Sequence, residues 1–131
     1  MLDVNDYKVL DCGSDIRRMY EFNGTTPRGE RLVVEVSECY PSGEKWGKND
    51  LPTLWYKHGC TKKILPNYIC IKTYVYDKDG QCRGIYNPQS MLCWYSKRIV
   101  VNYDWVLPVT KENINRLLVE CVRRANEGVL Y

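Results

Sequence analysis

The segment from Thr110 to Gly128 constrains the fold most, because its pattern predicts an amphipathic helix that must bury one face. Thr110 suits the N-cap, Glu112 places negative charge in the first turn, and Gly128 suits the C-terminal stop. The apolar residues recur at the spacing of one helix face; they are Ile114, Leu117, Leu118, Cys121, Val122 and Ala125. A stripe of this kind requires a second element to pack against.

The rest of the chain offers strands for that purpose. Residues 7–10, 31–37 and 68–76 are rich in β-branched and aromatic side chains. Residues 91–103 fit either one long bent strand or a second hairpin that turns near Ser96 and Lys97. Crossover helices of the kind a parallel sheet needs are missing. We therefore expect a single α+β domain over residues 1–131, with an antiparallel sheet packed against the C-terminal amphipathic helix.

Three connecting regions are less regular. Asp77–Gly80 predicts a hairpin turn in which Gly80 takes positive φ. Residues 14–23 fit a short helix capped by Ser14, with a strand as the alternative. Residues 41–53 predict a loop around the isolated Trp46, which is either functional or a tolerated insertion.

The strand at residues 68–76 carries the most specific functional pattern. Alternation places Tyr68, Cys70, Lys72, Tyr74 and Tyr76 on one face, and Ile69, Ile71, Thr73 and Val75 on the other. The apolar face suits the helix, so the tyrosines are expected to face away from it. Basic residues of neighbouring strands are expected to join the tyrosines, namely Arg83, Lys97 and Arg98.

Three readings of this tyrosine-bearing face stay open. Protein interfaces favour Tyr, Trp and Arg, which makes a protein partner the leading hypothesis, with Trp46 as a second contact and self-association as a variant. Single-stranded nucleic acid also stacks on sheet aromatics beside basic residues. The third reading is an ordinary solvated sheet face with cross-strand tyrosine pairs. The net charge of +3 is small for a nucleic-acid-binding domain.

Residues that would support catalysis or metal binding are sparse. His58 and Cys60 are close enough for a thiol nucleophile and its base, but a surface histidine and a structural cysteine are the simpler reading. None of the seven cysteines is two to four residues from another, so no zinc ligand pair is predicted. We expect a non-enzymatic protein without cofactor or metal, in which thiol catalysis at Cys60 and His58 is a distant alternative.

The chain shows neither a secretion signal at its acidic N-terminus nor a long apolar span. We therefore expect reduced thiols in the cytoplasm and no membrane association. In its size, its many tyrosines and lysines with one Phe, and its lack of a catalytic motif, the chain is similar to small accessory proteins of phages and mobile elements. That group includes anti-defence inhibitors such as anti-CRISPR proteins. The resemblance rests on composition and implies an inhibitor that binds a protein.

Overall fold

The computed structural model describes residues 1–14, 17–39, 68–85, 87–93 and 98–129. The strands are β1 (Tyr7–Ser14), β2 (Arg17–Phe22), β3 (Arg31–Cys39), β4 (Tyr68–Tyr76), β5 (Cys82–Arg83), β6 (Ser90–Cys93) and β7 (Arg98–Val101). A 3₁₀ turn at Tyr103–Trp105 precedes the helix α1 (Lys111–Glu127). Strands β1 to β5 form an antiparallel sheet in chain order, and β6 pairs with β7 in a second, two-stranded sheet.

The predicted α+β architecture is confirmed. Helix α1 packs on β3 and β4, and the inward side chains of the sheet and the helix form one hydrophobic core. On β3 the core residues are Leu32, Val34 and Val36, and on β4 they are Ile69, Ile71 and Val75. They share one face because the register pairs Leu32 with Val75 and Val36 with Ile71.

Helix α1 begins and ends where the sequence predicts. The Thr110 hydroxyl accepts a hydrogen bond from the Asn113 amide at 3.2 Å, and Gly128 ends the helix with φ of 72°. The buried residues of α1 all belong to the predicted apolar stripe, and they are Leu117, Leu118, Cys121, Val122 and Ala125.

For the described part of residues 14–23, the structure decides between the two predicted alternatives, a short helix and a strand. The helical prediction is wrong for Arg17–Phe22, which forms the strand β2 between β1 and β3. Met19 and Tyr20 would lie on neighbouring parts of one helix face, whereas the strand directs them to opposite sides of the sheet. Pairing on both sides satisfies the backbone and buries Phe22 in the core, so tertiary contacts decide the conformation.

The region after β4 follows the prediction in part. Gly80 has φ of 80° in the turn after β4, as expected. The returning strand β5 is short and covers only Cys82–Arg83. Of the two alternatives for residues 91–103, the hairpin is confirmed because β6 and β7 are antiparallel neighbours. Its predicted turn at Ser96 and Lys97 lies outside the described residues.

Gln89 attaches the second sheet to the first. Its amide nitrogen donates to the carbonyl oxygens of Ile69 and Trp105, and its amide oxygen accepts from the Ile71 backbone N–H at 3.0 Å. Gln89 is buried, so these bonds replace strand pairing at a stretch of β4 that β5 does not reach.

A second polar contact holds the C-terminal end of α1. Arg28, in the connection between β2 and β3, donates to the carbonyl oxygens of Ala125 and Asn126. Its Nε also donates to the Oε1 atom of the buried Glu30 at 2.8 Å. We call this contact the Arg28 clasp, because one guanidinium joins the helix to the start of β3.

Candidate protein-binding surface

The side of the five-stranded sheet away from α1 carries the three tyrosines and the lysine of β4 that the sequence places at a binding site. They are Tyr68, Lys72, Tyr74 and Tyr76, all on β4, and we call this side the tyrosine face. The three tyrosines are half-buried and Lys72 is exposed. Their common face follows from the strict alternation of β4, whose other side points into the core.

Strand β3 supplies the neighbouring row of the tyrosine face. The register places Tyr76 opposite Arg31, Tyr74 opposite Val33 and Lys72 opposite Glu35. Val33 and Glu35 are buried even though they point away from α1. The tyrosine rings therefore lie beside a closely packed row and not beside freely solvated side chains.

Glu35 is the centre of a polar network on this face. Its Oε1 atom forms an ion pair with the Arg17 guanidinium, and its Oε2 atom accepts a hydrogen bond from the Tyr74 hydroxyl at 3.4 Å. The Glu35 side chain is only 7% exposed, so it needs these partners. Burial raises the pKa of the Tyr74 phenol, and the adjacent negative charge of Glu35 raises it further. Tyr74 is thus a neutral donor that helps to hold the carboxylate.

The arginines of the tyrosine face are engaged within the fold. Arg17 pairs with Glu35, and Arg31 pairs with Glu21 at 2.7 Å. Two lysines on this face, Lys8 and Lys72, form no ion pair within the described part of the chain. The positive charge of this surface that is not already paired within the fold is therefore small.

Arg83 does not belong to this surface, and its predicted place beside the tyrosines is wrong. It pairs with Val75 across β4 and β5, so it lies on the side of the sheet that α1 covers. There its guanidinium lies 3.6 Å from the second carboxylate oxygen of Glu30, next to the Arg28 clasp. The register across the five-residue turn decides this, because a shift of one residue exchanges the two faces.

The remaining predicted positions divide into two groups. Trp46, His58, Cys60 and Lys97 lie outside the described residues, so the loop contact and the thiol alternative stay predictions. Arg98 lies in β7, which belongs to the second sheet and not to the sheet of the tyrosines.

The described part of the chain shows little that would support redox or metal chemistry. Cys121 is buried in the core, and this burial raises the pKa of its thiol far above the ordinary value. A thiol of this kind is a packing residue rather than a nucleophile. Among the described residues, no group of three or more His, Cys, Asp or Glu side chains is arranged to hold a metal ion. Nor does this part of the chain contain a helix of the length and apolar character needed to cross a bilayer.

Sequence reasoning missed Glu35 and Glu30 as buried carboxylates. A signal for Glu35 was present, since it lies between Val34 and Val36 in a strand whose alternation directs it away from the core. Its pairing with Arg17 depends on the register of β2 against β3, which no local pattern shows.

No protein-family model, curated protein or solved structure matches the chain. The function is therefore inferred from the geometry and chemistry of its surfaces.

Proposed function

We propose that this protein is a non-enzymatic binding protein that docks on a protein partner through the tyrosine face. The observation that carries the proposal is that the tyrosine face combines several tyrosines with arginines that are already ion-paired within the fold. Half-buried tyrosines lie on the side of the sheet away from α1, while Arg17 and Arg31 are held by carboxylates of the same face. Rigid aromatic rings beside a packed row supply buried area at low entropic cost, which is what protein interfaces use.

Single-stranded nucleic acid is the alternative, and the charge distribution weighs against it. Affinity for nucleic acid comes largely from cations that neutralise phosphates. With Lys8 and Lys72 as the cations of this face that lack an ion pair within the described residues, the logarithm of the affinity should fall with the logarithm of salt with a slope of about −1.4, at about 0.7 per phosphate. Such binding would be weak at physiological salt.

The composition also suggests a class of partner. The resemblance to accessory proteins of phages and mobile elements favours an inhibitor whose partner is a component of a host defence system. We therefore propose that the protein inhibits such a component and that it does so in the cytoplasm. Trp46 is the proposed second contact.

The test compares three tagged proteins in capture from a host lysate followed by mass spectrometry. The wild type should retain a specific partner, and the double variant Lys72→Ala with Tyr76→Ala should lose it, because both side chains lie on the tyrosine face outside the Glu35 network. A control with Lys78→Ala and Val119→Ala removes one exposed cation and one exposed apolar side chain elsewhere. The control should retain the partner. Equal capture by all three proteins would refute the proposed surface.

A second measurement addresses the alternative directly. Fluorescence anisotropy with labelled oligothymidylate and oligouridylate over a salt series should show no binding tighter than the micromolar range at physiological salt. Nanomolar affinity with a slope much steeper than about −1.4, lost in the Lys72 and Tyr76 double variant, would make nucleic-acid binding the function.

A further inference from the structure

A cleft opens on the other side of the sheet, between the first turns of α1 and the strands β1 to β3. Its volume is about 420 Å³, and it continues into a neighbouring hollow of about 270 Å³. The two spaces share Tyr20, Lys111 and Ile114 in their walls. Clefts that hold small molecules in proteins have volumes of about 300–1,000 Å³, so this one is large enough for a small ligand.

The cleft has an apolar floor. Val36 and Ile69 are core residues whose side chains close its inner end, and the partly buried Ile114 contributes from α1. Val9 and Val109 stand at the wall and are more than two-fifths exposed. Exposed valines beside a concave apolar surface offer contact area for an apolar ligand body.

Two cations line the cleft, and one of them, Arg18, differs from most other arginines that the structure describes. Arg18 and Lys111 both line it, and neither forms an ion pair within the described part of the chain. Glu38 supplies one negative charge to the same wall, so the described lining has an excess of positive charge. The Tyr20 hydroxyl group adds hydrogen-bonding capacity at the same place.

We propose that this cleft binds a small amphipathic carboxylate, with the carboxylate at Arg18 and Lys111 and the apolar body over Val36, Val109 and Ile114. Charge complementarity selects the anionic end, because two cations of the lining lack a carboxylate partner. The apolar floor selects an aliphatic or aromatic body rather than a free inorganic anion. The site lies on the opposite side of the sheet from the tyrosine face, so it is independent of the proposed protein partner.

The test uses three probes that share one alkyl chain and differ in charge, namely octanoate, octanol and octylammonium. Each is titrated into the protein while methyl NMR signals of Val36, Val109 and Ile114 are followed. Octanoate should shift these signals saturably, octanol should bind about tenfold more weakly, and octylammonium more weakly still. This order reflects the ion pair of octanoate with Arg18 and Lys111, which octanol cannot form and which like-charge repulsion replaces for octylammonium.

Matched variants identify the groups involved. Arg18→Gln and Lys111→Gln should each weaken octanoate binding by about three- to tenfold and leave octanol binding unchanged. Lys78→Gln, an exposed change in the turn after β4, should have no effect. The variant with Lys72→Ala and Tyr76→Ala should bind octanoate like the wild type, which separates this site from the tyrosine face.

Three results would overturn the proposal. One is octanol binding as tightly as octanoate. Another is octanoate affinity that is unchanged in both Arg18→Gln and Lys111→Gln. Shifts confined to the separate apolar hollow between the N-terminal residues and α1, lined by Leu2 and Val119, would also place the site elsewhere.

Discussion

Removal of the Arg28 clasp by Arg28→Ala should destabilise the protein by more than the loss of an ordinary surface ion pair. The guanidinium is 41% exposed, but its carboxylate partner, Glu30, is only 6% exposed. It also donates to the last carbonyl groups of α1, at Ala125 and Asn126. In the variant, Glu30 keeps the Thr26 hydroxyl at 3.2 Å and the more distant Arg83.

The magnitude follows from these contacts. A hydrogen bond to a charged group contributes about 1.5–3 kcal/mol, and removing one partner of a buried pair costs about 3–5 kcal/mol. Exposure of Arg28 and the remaining partners of Glu30 reduce both figures. We therefore expect a loss of about 2–4 kcal/mol in the free energy of unfolding. The free energy of unfolding of Arg28→Lys should lie between those of the wild type and Arg28→Ala. Lysine keeps the positive charge but lacks the planar, forked set of donors of the guanidinium.

Arg31→Ala is the matched control. Arg31 pairs with Glu21 at 2.7 Å, close to the 2.8 Å of the clasp, but that arginine is 55% exposed and its carboxylate is 31% exposed. An exposed pair contributes about 0–1 kcal/mol. Urea unfolding followed by circular dichroism at neutral pH measures both variants. If Arg28→Ala costs no more than Arg31→Ala, burial of the carboxylate and capping of α1 do not contribute as argued.

Four further predictions concern other parts of the protein. Leu118→Ala should lower the free energy of unfolding by about 2–5 kcal/mol and Arg123→Ala by about 0–1 kcal/mol in urea melts, and the reverse order would mean that the apolar stripe is not the buried face. Gly128→Ala should cost about 1 kcal/mol or more in the same melts, since its Cβ would lie 2.8 Å from Arg28 Cζ at φ of 72°. This loss should shrink in the Arg28→Ala background, and an unchanged loss would rule out the clash. The phenol of Tyr74 has a raised pKa, so the absorbance difference between wild type and Tyr74→Phe should show ionisation above pH 10, and its contribution to stability should be present below pH 10 and lost as the pH rises through the folded-state pKa. Ionisation of Tyr74 below pH 10 would contradict the Glu35 network. Protein purified without added metal should contain no stoichiometric zinc in elemental analysis, and a stoichiometric signal would point to a site among the cysteines.

The parts of the fold that the sequence predicts are those with consistent local signals. Strand β4 matches its predicted range residue for residue, because β-formers and strict alternation agree from Tyr68 to Tyr76. Helix α1 is predicted with its caps, since an N-cap threonine, a periodic stripe and a C-terminal glycine act within the helix itself. Residues 14–23 carry signals for both helix and strand, and pairing of Arg17–Phe22 with β3 decides between them.

The chemistry of the surfaces depends on contacts that local patterns do not encode. The clasp joins Arg28 to a carbonyl 98 positions further along the chain. The side on which Arg83 lies depends on the pairing register after a turn, where one residue of slip reverses the result. The cleft beside Arg18 and Lys111 forms only when α1 packs across the sheet, so no sequence motif predicts it. The common face of Tyr68, Lys72, Tyr74 and Tyr76 could be predicted because all four belong to one strand.

The two surfaces differ in how much of their charge the fold itself uses, and this difference bears on the ligand proposed for each. On the tyrosine face, a ligand that needs Arg17 would leave the buried Glu35 with only its hydrogen bond from Tyr74, which costs about 2–4 kcal/mol, whereas release of Arg31 costs about 0–1 kcal/mol. In the cleft, Arg18 and Lys111 have no described carboxylate partner to release. Lys8 and Lys72 of the tyrosine face likewise form no ion pair within the described residues, so we expect a small amphipathic anion to prefer the cleft for its apolar lining together with its cations. A partner on the tyrosine face should gain its affinity chiefly from the tyrosines. Because salt screens exposed charges and affects apolar burial less, added salt should weaken octanoate binding while capture of the protein partner persists.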